Sequence, residues 1–189
     1  MKDYKAKFDY VAYYYVTTFV HRWNNKISHM RKRNNESVFV YDKFITEFII
    51  YSSLVNVIKP QEYKHLHDCV YCTKVMAEFL VDRIDGNFIS KLEIPANDLI
   101  KIVASNQFKV VSSVNKNPEL EKNWNSNQIL TQVKALLETL YYLRCNLFHG
   151  EKEFSNEQVE LLKPACQCLH IINNVILDTF ADEFANHGQ

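Results

Sequence analysis

Glycine and proline are scarce in this chain, three and four respectively in 189 residues. Tight hairpin turns rely on glycine for positive φ and on proline for a pre-set φ, so a fold of many short strands joined by hairpins is hard to build from it. No stretch approaches the roughly 18 uninterrupted apolar residues of a membrane span. The opening MKDYKAKFDY is charged throughout, unlike a secretory leader. An excess of either charge is lacking too. The 22 basic and 22 acidic residues cancel, so a nucleic-acid or membrane surface would have to be a local patch. Regular cysteine spacing is also missing. Five cysteines, an odd number in a chain that is 47% hydrophobic, fit reduced thiols better than a disulfide framework. The expectation is a cytoplasmic protein with no membrane partner.

What is present is helical periodicity, and it predicts a single all-α domain over residues 1–189, a bundle of five to six helices. Phe8, Val11, Tyr15, Phe19 and Trp23 recur at three or four and share one helical face. After the basic break RKRNNES, the stretch DKFITEFIIYSSLVNVI is apolar almost all round until Pro60, which predicts a central helix. A third helix runs through Leu66, Cys69, Val70, Met76, Phe79 and Leu80 to a stop at Gly86. Pro95 restarts a weaker pattern near DLIKIVASNQFKVV, helix or short strand, and VNKNPELEKNWNSN reads as a loop because Pro118 and its asparagines compete with helix formation. The most regular helix carries Ile129, Val133, Leu136, Leu137, Leu140 and Leu147 and ends at Gly150. Ser155 and Gln158 have the capping-box form. They open a last helix through Val159, Leu162, Leu169, Ile172 and Ile176, which Pro164 should kink or split.

Two constellations carry possible chemistry. HLHDCVYC at 65–72 and CQCLH at 166–170 hold cysteines and histidines from which a zinc site can be drawn. Neither has a glycine-containing knuckle, however, and small apolar cysteines suit helix cores. The expectation is no metal and no cofactor.

The second is YYLRCNLFHGEK at 141–152, which sets Arg144 and His149 at the end of an apolar helix. Positions five apart on a straight helix point about 140° away from each other, so the pair converges only if the helix unwinds at His149 or a second molecule completes the site. The plain alternative is that both are caps, cations favoured at the negative helix end by about 0.3–1 kcal/mol.

The string Arg144-Cys-Asn-Leu-Phe-His149, followed by Gly150, a short polar turn and another long apolar helix, resembles the R-x4-6-H signature of the HEPN superfamily of helical domains. The resemblance covers about residues 127–180, the motif-bearing helix pair. It implies a HEPN-like bundle and a metal-independent endoribonuclease working as a homodimer, in settings such as toxin–antitoxin pairs or host defence, with an antitoxin or other partner protein. In that reading His149 is the general base for a ribose 2′-hydroxyl, Arg144 holds the scissile phosphate, and Asn146 orients one of them. A polar residue usually follows the arginine, and here Cys145 stands there, so Asn146 has to supply the polar contact. Glu151 takes the place of the tyrosine that some members carry two after the histidine, so modification of that tyrosine is not implied.

RNA needs local positive charge. Arg22, Lys26, Arg31, Lys32 and Arg33 within HRWNNKISHMRKR, with an aromatic among them for stacking, are candidates, and Lys152 lies beside the motif. Alternatives from other classes stay open: an inactive HEPN-like module that binds RNA or protein, or a helical interaction protein.

Overall fold

A computed structural model of the chain describes residues 14, 17–18, 20–22, 24–25, 36–58, 66–83, 87–105, 117–148 and 156–187. These residues form an all-α bundle with no strand among them. The main elements are α1 (Glu36–Ile58), a three-part rod α2, α3 (Asn87–Ala104), α4 (Asn117–Trp124), α5 (Ile129–Phe148) and α6 (Asn156–His187). The rod consists of Asp68–Val70, a π-helical turn Tyr71–Val75, and Met76–Arg83. Residues 14, 17–18, 20–22 and 24–25 are helical as well, and Val20 packs on the core. Phe8, Val11, Tyr15, Phe19 and Trp23 lie outside the described residues, as do Pro60, Gly86, Gly150 and Ser155.

The all-round apolar pattern of α1 makes it central: Phe44, Ile50, Tyr51 and Leu54 are fully buried. It lies along α6, which α3 flanks, while α5 packs against α2 and α4. Side chains of α6 expected to face inward, Val159, Leu162, Leu169, Ile172 and Ile176, are all buried. Phe79 of α2 meets Phe180 of α6 edge-on at 6.3 Å. Burying side chains of this size contributes roughly 1.5–3 kcal/mol each. Such burial outweighs the prolines. α6 continues through Pro164 instead of splitting, because Leu161, Leu162, Ala165 and Leu169 around it are fully buried and together exceed the roughly 3 kcal/mol that an interior proline costs.

Three expectations are corrected. Pro95 does not restart a helix; it sits buried inside α3, whose Phe88, Leu92, Ala96, Leu99 and Val103 form one inward stripe across it. The segment read as a loop contains α4: Pro118 falls in the first turn, where its missing N–H has no helical partner to lose, and Leu120 and Trp124 are buried four apart. Trp124 Nε1 then donates to Asn97 Oδ1 at 2.7 Å, tying α4 to α3. At the start of α5, Ile129 is 48% exposed and does not join the inward stripe, which begins at Val133.

Gln158, expected to cap α6 with Ser155, accepts a hydrogen bond from the Tyr41 hydroxyl of α1 through its side-chain oxygen. No described helix is long and apolar enough to cross a membrane.

Candidate functional site

Arg144 stands four residues before the end of α5 and is half-buried. Its neighbours on the inward stripe, Leu140 and Leu143, anchor α5 in the core. That anchoring leaves Arg144 and Tyr141 at the edge facing α1. There the guanidinium carbon lies 5.9 Å from the centre of the Phe48 ring, within reach of a cation–π attraction. Arg144 Nη1 also approaches Cys145 Sγ at 3.9 Å. Phe48 in turn contacts Tyr141, ring centres 6.3 Å apart, and Tyr51 at 5.7 Å edge-on.

Arg144 lines a cleft of about 60 Å³ between α1, α2 and α5. One wall is Phe48 with Tyr141; Ser52 and Asn56 of α1 and Asp68 of α2 supply polar groups. Tyr71 and Cys72, from the π-helical turn, close it. Burial first, then the Cys145, Cys69 and Cys72 thiols, hold the Tyr141 phenol up at about 12, with Arg144 pulling the other way. At neutral pH Tyr141 is therefore an uncharged hydroxyl.

The other predicted residues divide. Asn146 is buried, 7% exposed. Two residues on from Arg144 it points about 160° away around the helix, so it does not line the cleft. Arg22 is exposed on the helical residues near the N-terminus, where His21 and Asn25 exchange a 3.1 Å hydrogen bond. His149, Lys152, Lys26, Arg31, Lys32 and Arg33 lie outside the described residues.

The five cysteines are free thiols. No group of three or more potential metal ligands occurs among the described residues. Burial pushes the Cys166 thiol up to about 12, and it approaches the Val40 carbonyl oxygen at 3.7 Å; burial likewise raises Cys168. Both are inert core thiols.

A polar network escaped the sequence reading. Glu47 is buried in α1, where its carboxylate accepts from Asn173 Nδ2 at 2.9 Å and meets His170 Nδ1 at 3.1 Å. Asn173 Nδ2 also donates to the Glu47 carbonyl at 3.0 Å, and Asn174 pairs with His170 Nε2 at 3.1 Å. One carboxylate thus clamps α1 to α6. The signal was a lone acid inside the apolar run FITEFII.

The hydrogen bond to Glu47 raises the His170 pKa, against desolvation and the Lys43 charge. A histidine so raised stabilises the fold fully below its unfolded value of about 6.5, and that contribution is lost as pH climbs through the folded value. The stability advantage of wild type over His170→Asn, measured by urea denaturation, is expected to be larger at pH 5.5 than at pH 8.5. An advantage that grows with pH would contradict the pairing.

No family model, no curated protein and no solved structure matches this chain.

Proposed function

We propose that the protein is a HEPN-type, metal-independent endoribonuclease that cuts single-stranded RNA as a homodimer in the cytoplasm, in a toxin or defence role. The observation that supports this reading above a pair of helix caps is the setting of Arg144. A capping arginine is solvated around the last carbonyls of its helix. Arg144 is half-buried, held on the Phe48 ring and facing a cleft. The order of elements supports it too: the R-x4-H string closes a long helix and precedes the last long helix.

The residue types account for the chemistry. Histidine is the residue type whose ordinary pKa lies near neutral, which suits His149 to take the proton of the ribose 2′-hydroxyl. The freed oxygen bonds to phosphorus, the bond to the 5′-oxygen breaks, and that oxygen takes up a proton as it leaves. Arg144 offers a planar fork of donors to the phosphate while negative charge builds on it. The five-residue spacing favours a two-fold interface that presents the same motif twice.

A second reading, RNA binding without cleavage, draws on the burial of Asn146 away from Arg144. The deciding experiment is incubation of single-stranded RNA with the protein in excess chelator. Products ending in 2′,3′-cyclic phosphate are expected, and a strand 2′-O-methylated at the cut site stays intact. Binding without cleavage selects the second reading. Indifference to RNA leaves Arg144 and His149 as caps.

A further inference from the structure

We infer that the cleft beside Arg144 is a subsite for the edge of an RNA base that bears an exocyclic amino group, as cytosine does. This rests on the ribonuclease reading for its ligand class, but its own warrant is the cleft. At about 60 Å³ it lies far below the few hundred Å³ of pockets that engulf a drug-sized ligand, so it would take the edge of a base and leave the rest of the ring outside. Tyr141, half-buried beside the cleft, offers part of a ring for a base to touch, while Phe48 is buried beneath it with Arg144 over its ring.

The polar groups choose among bases. Asp68 is an acceptor-only carboxylate at the cleft, and cytosine turns its N4 amino group, a donor, toward such an acceptor. Uracil would bring its O4 lone pairs there and be repelled. Asn56 and Ser52 can both donate and accept, which matches the N3 and O2 acceptors along the same edge. Arg144, on the rim, is placed for the adjoining phosphate.

Backbone geometry adds an independent mark. The wall formed by Tyr71 and Cys72 is a π-helical turn within an otherwise α-helical rod, a departure that occurs often at functional sites. Asp68 also sits in the first turn of α2, where an acid is favoured by the helix dipole alone. The test must therefore separate base reading from helix stability.

Calorimetric titration of the full chain with cytidine 3′-monophosphate and uridine 3′-monophosphate makes that separation. Wild type is expected to bind the cytidine nucleotide at least about tenfold more tightly. Asp68→Asn should bring the two affinities together while keeping its thermal midpoint, since asparagine offers a donor as well as an acceptor. Arg144→Ala should weaken both nucleotides alike. Equal wild-type affinities, no binding of either nucleotide, or a preference that survives Asp68→Asn overturns the subsite, and RNA cleavage found alongside those results leaves the nuclease standing. Conversely, a cytidine preference that Asp68→Asn removes supports the subsite even if no RNA is ever cut, in which case the nuclease reading fails by itself.

Discussion

If the ribonuclease proposal holds, His149→Ala is expected to cut RNA about 10²- to 10⁴-fold more slowly than wild type, the span that a positioned general base contributes. Arg144→Ala loses on the order of 10²- to 10³-fold, as expected for removing one donor from developing negative charge. Neither change should unfold the protein. Arg144 is only half-buried at the edge of α5, so circular dichroism and the urea midpoint should stay near wild type. The two losses should not multiply in the double variant, because the proposed base and phosphate clamp would act on one transition state. Cys145→Asn should be at least as active as wild type, since it places an amide where the Cys145 thiol now meets Arg144. Single-turnover cleavage rates in chelator, compared among the variants, check all of this. Undiminished cleavage by either alanine variant would remove these residues from the chemistry.

The second large effect belongs to stability. Glu47→Ala should cost about 3 kcal/mol in urea denaturation. A stranded buried donor costs about 1–3 kcal/mol, and Asn173 Nδ2 would lose its carboxylate partner and keep only the Glu47 carbonyl. The one buried methylene lost, Cγ, adds about 0.8 kcal/mol. The ion-pair share is small, because the His170 side chain is 52% exposed and solvent screens its charge. Glu47→Gln should recover most of the loss, since its carboxamide oxygen can still accept from Asn173. The pH dependence attributed to His170 should nevertheless be flattened in Glu47→Gln. A Glu47→Ala loss below about 0.5 kcal/mol, the scatter of ordinary surface substitutions, would show that the network does not hold α1 to α6.

The elements readable in advance are those where one period dominates. α1, α5 and α6 carry apolar side chains at every turn, and their buried stripes follow that spacing. α4 was hidden because Pro118 and the flanking asparagines are loop-forming by local preference, whereas its helicity comes from burial of Leu120 and Trp124 against other helices. Tertiary contact overrode propensity there. At Pro95 the same override carries α3 from Asn87 through the proline to Ala104.

For the site, the sequence pointed to Arg144 through its place in a motif. It did not reveal Phe48 and Asp68, which come to the same cleft from α1 and α2, distant along the chain. Asn146 shows the opposite limit. Two residues from Arg144 in the string, it faces the core because α5 is still a regular helix there.

The π-helical turn Tyr71–Val75 makes chain length a determinant of the cleft. Each residue gained or lost in a helix turns everything before it by about 100°. Excising one residue from this turn would let the rod run on as plain α-helix. Met76, Phe79 and Leu80 would keep their places in the core, while the preceding residues swung round and carried Asp68 away from Arg144. No single substitution does this. A one-residue gap at 71–75 would therefore mark a chain that shares this bundle yet lines the cleft with a different edge.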